Sequence, residues 1–295
     1  MRIEKYILTL VLGTLPLCTY SQLLYEISGN GTKQKSYLLA TNRMVDMQFL
    51  DTIPNVFTCF GKCKKVVTEF AMQDYEAIAA LRQAALLPDS IKLSNFFSES
   101  EYTYIDNSLR INLNMGIEQL ARMKPAYLTE MLRNELMKQW LQYDEQRSIE
   151  TFFESVAAER NIPIYGLDNI GETMYMLFDR EPFHWQCKEL LKVIEYPENE
   201  VKLEKSLKAL YLNGLLSDIA YQIESPDNTT SLSYSDYQVF AQRNVQWVKR
   251  LQPYLSEGEC FITLNANYLG GDQGLIALLR ANGYRVRPVN RNFKK

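Results

Sequence analysis

Leu23-Leu-Tyr-Glu-Ile-Ser28, Gly29-Asn-Gly-Thr-Lys33 and Ser36-Tyr-Leu-Leu-Ala40 follow one another near the start of the chain. Two short β-prone runs separated by a Gly/Asn turn predict a hairpin. The turn is no phosphate loop, because Lys33 leads into a second strand rather than into a Ser or Thr that opens a helix. Further strand signals lie at Lys65-Val-Val-Thr-Glu-Phe-Ala71, Ile162-Pro-Ile-Tyr-Gly-Leu-Asp168, Glu259-Cys-Phe-Ile-Thr-Leu-Asn265 and Tyr284–Val289. Between them the apolar residues recur at helical spacing. This spacing covers Asp46–Lys62, Ile149–Arg160, Ile170–Glu195, Lys202–Ile223 and Tyr237–Leu255. It is clearest in Tyr127–Tyr143, where Leu128, Met131, Leu132, Leu136, Trp140 and Leu141 form a stripe. Gly270-Gly-Asp-Gln-Gly274 opens a last helix over Leu275–Ala281, with Asp272 expected as its N-cap. Ser225–Ser235 reads as a polar loop. The pattern predicts a single-domain α/β fold: a central mixed sheet built from the N- and C-terminal segments, with residues of about 74–255 forming a helical middle layer or lid.

Composition narrows the chemistry. The 295 residues are 46% hydrophobic and 23% charged, which suits a globular core and excludes disordered or collagen-like structure. Lys and Arg total 32 against 35 acids, a net charge of −3, so no overall positive field recruits nucleic acid. The chain has one histidine, His184. A multi-histidine metal site or a Ser/His hydrolase therefore lacks its usual parts. His184 lies in a helical stretch beside Trp185 and reads as a structural or surface residue.

Arg2 and Lys5 precede the apolar Tyr6–Leu17, and Thr19-Tyr-Ser21 offers a small-x-small cleavage site, so residues 1–21 are expected to be a secretory signal. The apolar run is too short to span a bilayer, and Leu17 stands where lipid attachment at Cys18 needs a small residue. Residues 22–295 would then be the exported domain, periplasmic or extracellular, without an integral membrane segment. Cys59, Cys63, Cys187 and Cys260 remain, as buried thiols or with one bridge among them.

Strand ends that meet helix starts are where α/β sheets hold ligands. Asn42 and Arg43, Glu69, Asp168, and Asn265 to Tyr268 each fall just beyond a predicted strand.

These same segments resemble the TraB/GumN family, which includes the Tiki-type metal-dependent peptidases. Leu24–Lys33 and Ser36–Leu39 are similar to its first two strands, and Phe49-Leu-Asp-Thr-Ile-Pro54 to the helix that follows. Val66-Val-Thr-Glu-Phe70 resembles its acidic strand. Ile162–Asp168 resembles its Lys-Pro-Val-x-Gly-Leu-Glu segment, with Asp168 in place of the glutamate. Gln242-Arg-Asn-Val-Gln-Trp-Val248 resembles its Arg-Asn-x-x-Trp helix, and Gly270–Tyr284 its ending. The resemblance implies two Gly-x-x-His motifs, a glutamate and an arginine around a divalent metal. Here the first motif is Ala40-Thr-Asn-Arg43 and the second is Asn265-Ala-Asn-Tyr268, while Glu69 and Arg243 remain.

An arginine has no lone pair for a metal, and a tyrosine ligates only as phenolate. The expectation is therefore loss of the metal and of catalysis, with a peptide, glycan or protein bound in the former active-site cleft. The alternative is an active hydrolase, using Glu69 with Asp168 as an acid/base pair or an atypical metal site. Two pairings are open to Glu69. Either Arg43 fills the cation's place beside it, or Arg43 faces solvent and Glu69 caps a helix or binds Arg243.

Overall fold

The computed structural model describes residues 22–71, 75–224 and 234–290. The expected signal segment and most of the polar loop Ser225–Ser235 lie outside these residues. In chain order the elements are β1 Leu24–Gly29, β2 Ser36–Thr41, α1 Val56–Phe60, β3 Lys65–Thr68, α2 Tyr75–Ala84, α3 Glu99–Leu113, α4 Pro125–Leu141, α5 Ile149–Glu159, β4 Ile164–Gly166, α6 Ile170–Met174, α7 Phe183–Glu195, α8 Pro197–Leu212, α9 Leu216–Glu224, α10 Tyr234–Glu257, β5 Cys260–Asn265, α11 Leu275–Ala281 and β6 Tyr284–Pro288.

The strands form one mixed sheet in the order β4-β3-β5-β2-β1-β6. The predicted hairpin is present, with β1 antiparallel to β2 in the register Leu24↔Leu39, and β6 pairs antiparallel on the other side of β1. β2, β5, β3 and β4 run parallel to one another. Their carboxyl ends, at Thr41, Asn265, Thr68 and Gly166, therefore lie along one edge of the sheet.

The central parallel strands are covered on both faces, as a parallel sheet requires. β5 contributes Cys260 to Leu264, all buried. The Phe261 ring packs against Phe60 at 5.2 Å and Phe153 at 4.6 Å, so α1 and α5 close over β5 with an aromatic cluster. Trp247, Leu251 and Leu255 of α10 and Leu275 and Leu279 of α11 belong to the same core. A second core lies in the helical middle, built on Ile105 and Leu109 of α3, Leu128 and Leu132 of α4, and Leu190 of α7. The two meet along α8, whose Val201 joins the helical core while Leu203 and Leu207 join the sheet core. Tyr211 of α8 donates its hydroxyl to the carbonyl of Ala40 at 2.9 Å, tying the helical layer to the end of β2.

Several predicted helices are broken. Asp46–Lys62 is a 3₁₀ turn at Met47–Thr52 followed by α1, because Pro54 drives Ile53 into extended backbone. Ile170–Glu195 is interrupted by a π turn at Tyr175–Asp179 and by Pro182, which stands at the start of α7. Lys202–Ile223 splits at Gly214, whose φ of 70° ends α8. Asp272 is not the cap of α11. Gly274 holds that position without a side-chain bond, and the chain there is set by close approach instead. Cys59, Cys63, Cys187 and Cys260 are separate buried thiols, and burial pushes those of Cys59, Cys187 and Cys260 up to about 11.

An ion cluster joins the helices of the middle layer. Arg133 of α4 pairs with Glu130 at 2.8 Å, with Glu200 of α8 at 2.9 Å and with Glu189 of α7. Glu204 stands beside this cluster. Burial first, then the negative Glu200 and Glu130, raise its carboxyl above the ordinary range against the opposing Arg43 and Arg133. A raised folded-state value means that ionised Glu204 works against the fold. Glu204→Gln should thus raise the denaturation midpoint near pH 7.5, and the gap to the parent should close by about pH 4, where the parent carboxyl is itself protonated. A Cβ on Gly270 would lie 1.9 Å from the Leu216 carbonyl oxygen, at the start of α9. Gly270→Ala is expected to cost more than about 2 kcal/mol in urea denaturation, since backbone must move to admit the methyl group.

Candidate functional site

Three strand ends and one long helix meet at Arg243. Glu69 is the residue after β3, Asp168 follows β4 by two residues, and Tyr268 closes a 3₁₀ turn, Ala266–Tyr268, directly after β5. Backbone bonds hold the first two loops together: Asp168 N–H donates to the Glu69 carbonyl at 2.8 Å and Leu167 N–H to that of Thr68 at 2.9 Å. Above them α10 presents Arg243, Trp247 and Arg250, spaced i, i+4 and i+7 on one face.

Arg243 donates through Nε and Nη2 to Asp168 Oδ2, each at 2.6 Å, and its Nη1 lies 3.2 Å from Glu69 Oε2. Nη1 also donates to the Tyr268 hydroxyl. The guanidinium carbon sits 4.5 Å from the Trp247 ring and 4.9 Å from the Tyr268 ring, and those rings lie 4.7 Å from each other, so the cation packs against an aromatic pair as well as bonding through its edges. Burial opposes this charge, but the Tyr268, Glu69 and Asp168 oxygens more than offset it and raise Arg243 above its ordinary value.

The Asp168 side chain is 4% exposed, and its remaining oxygen accepts from Trp247 Nε1 at 2.6 Å and Arg250 Nη1 at 3.3 Å. Glu69 Oε1 accepts from the Asn265 backbone N–H at 3.0 Å. Burial, reinforced by Glu69 and Asp168 and opposed by Arg243, moves the Tyr268 phenol far above its usual value, so it stays protonated at neutral pH.

The other sequence-predicted positions turn elsewhere. The Arg43 charge helps to lower Glu130 of α4 and opposes, without overcoming, the rise of Glu204 of α8, while the ion pair of Glu69 is with Arg243. Asn42 is buried and accepts from the Met44 N–H at 2.8 Å, and the Asn265 side chain accepts from the Asn267 N–H at 3.1 Å. Both amide oxygens stabilise turns. His184 is exposed on α7, 5.5 Å from the Trp185 ring.

Residues 23–288 match the TraB/PrgY/gumN family, which is nearly the whole of the described chain. The chain belongs to that family. No curated protein and no solved structure matches it. Of the two positions that the sequence resemblance set against motif histidines, Tyr268 is buried against Arg243, and the charge of Arg43 acts on Glu130 and Glu204.

Sequence reasoning missed Trp247, Arg250 and Glu172 as parts of the site. Arg250 forms a fork with Glu172 of α6 at 2.7 and 2.5 Å and donates to the Leu167 carbonyl at 2.8 Å. The signal was present in the α10 spacing, which puts Trp247 and Arg250 on the Arg243 face. A cavity of about 760 Å³ opens beside this network between α6, the π turn and α10, lined in part by Asp168, Glu172, Arg243 and Arg250. Replacing Arg243 by Leu would leave Asp168 and Glu69 without their shared cation. The expected loss is about 3–5 kcal/mol in chemical denaturation, and Arg243→Lys should recover only part of it, because an ammonium cannot fork or stack as the guanidinium does.

Proposed function

We propose that this TraB/PrgY/gumN-family chain is an exported, non-hydrolytic protein that binds a ligand in the cleft at the strand ends, without a resident metal. One observation carries the reading: Arg243 supplies from within the chain the positive charge that Glu69 and Asp168 require. The residues do not fit a divalent ion. A metal needs several free lone pairs, and here both oxygens of Asp168 and both of Glu69 already accept from protein donors. Tyr268 is held as a neutral phenol, and the Asn265 and Asn42 amide oxygens are taken by backbone N–H groups. Among the described residues no group of three or more His, Cys, Asp or Glu side chains is disposed to hold an ion.

The same saturation weakens the acid/base alternative. Asp168 is buried and Glu69 shares its guanidinium, so neither carboxylate is placed to take a proton from an attacking water. Export rests on the amino-terminal sequence, with its basic start, apolar run and small-residue cleavage triad. No described helix is long and apolar enough to cross a membrane. The bound partner is a peptide, glycan or protein on this reading, and the near balance of charge argues against nucleic acid.

Calorimetric titration with manganese, cobalt and zinc tests the reading. The expected result is no stoichiometric uptake and no metal-dependent cleavage of peptide substrates. One-to-one binding at micromolar concentration that Glu69→Ala abolishes would overturn it.

A further inference from the structure

The cavity beside Arg243 has two kinds of wall. Tyr175 and Met176 of the π turn and Val239 and Val245 of α10 supply apolar surface, and Tyr175 and Val245 are 55% and 42% exposed. Exposed apolar side chains gathered around a concavity mark a binding surface more often than a resting one. Its volume of about 760 Å³ falls within the roughly 300–1,000 Å³ of small-molecule sites. The π turn adds one residue to the α6 spiral where the wall needs Tyr175 and Met176, and such turns recur at functional sites.

The floor is charged but closed on itself. Asp168 accepts from Arg243, Trp247 and Arg250. Glu172 gives both oxygens to Arg250, and one of them also accepts from the Asn169 N–H at 3.0 Å. The start of α6 is likewise satisfied, since Asn169 accepts from the Glu172 N–H at 2.9 Å. Arg180 pairs with Glu181 at 3.4 Å, and its charge also acts on Glu130. Among the described lining residues every carboxylate already has its cation and every arginine its anion. A charged ligand group would lose hydration here and find no unpaired counter-charge. Gln242 and Gln246, one helical turn apart on α10, instead offer amide groups that can both donate and accept.

Building on the proposed binding role, we infer that this cavity selects an uncharged amphipathic ligand, with an aromatic or branched apolar body against Tyr175, Met176 and Val245 and an amide or hydroxyl group toward Gln242 and Gln246. A matched trio tests the charge rule: indole-3-acetamide, indole-3-acetate and tryptamine share one aromatic body and differ in the charge of the head. Binding of each to the full chain is followed by saturation-transfer NMR and calorimetry. The acetamide is expected to bind roughly ten-fold or more tightly than either charged analogue, because neither finds a partner for its charge. Val245→Glu, combined with Lys249→Gln so that no lysine one turn along α10 neutralises it, places a carboxylate at an exposed wall position outside the Arg243 network. It should weaken the acetamide and move the preference to tryptamine.

Tighter binding of the acetate or tryptamine by the parent would overturn the inference. If Val245→Glu then weakened the acetate or strengthened tryptamine, a ligand cavity would stand and only its charge selection would fail. No binding of any of the three, or binding that Val245→Glu leaves unchanged, would remove the cavity as the site. The metal titration above judges the non-metal reading independently of either outcome.

Discussion

A guanidinium held between two carboxylates is the interaction on which this structure turns. Arg243 bonds Asp168 through two nitrogens, reaches Glu69 and Tyr268 with the third, and lies against the rings of Trp247 and Tyr268, which pack on each other. Carboxylates removed from water are tolerated only with a cation and hydrogen bonds to their remaining lone pairs. Arginine meets both needs with one planar, permanently charged group. The ends of β3, β4 and β5 are thereby fastened to α10 at a single point, and disturbing that point exposes several buried charges at once.

The topology explains why those groups meet. Four parallel strands deliver their carboxyl ends to one edge, and Glu69, Asp168 and Tyr268 follow their strands so closely in the chain that they cannot stray far from it. The crossovers between the strands carry the helices. That from β3 to β4 contains α2 to α5, and that from β4 to β5 contains α6 to α10. The helical middle accordingly has a core of its own, and Arg133 with its three glutamates ties α4, α7 and α8 together within it.

Two carboxylates at a strand-end cleft pose one electrostatic problem with two chemical solutions. A bound divalent ion needs ligands with free lone pairs, whereas a covalently tethered cation consumes those lone pairs itself. In this chain the second solution is built, and Arg250 repeats it on Glu172 a short way along α10. The outcome is a floor rich in charges but poor in unpaired ones. The adjoining cavity adds apolar side chains and the amides of Gln242 and Gln246 on α10.

Local chemistry made much of the fold legible in the sequence. The Gly/Asn turn between β1 and β2, the β-branched runs of β3 and β5 and the stripe of α4 are written in neighbouring residues, as is the placement of Glu69, Asp168 and Tyr268 beyond their strands. Helix breaks were less visible: Pro54, Pro182 and Gly214 interrupt stretches whose apolar spacing continues across them, and the spacing hid the breaks. Gly274 rather than Asp272 begins α11 because the loop backbone at Leu269 and Gly270 folds back against it, and that loop is itself pressed onto Leu216 of α9, a contact made only after folding. The surroundings of Arg43 were likewise decided in three dimensions. Its charge acts on Glu130 and Glu204, which are far away in sequence, while Glu69 pairs with Arg243. Sequence by itself determined which charged groups reach the strand ends, because residues next to a strand are held there by the chain. Only the tertiary structure decided which charges pair, because partners are chosen by distance and burial across elements that no local pattern connects.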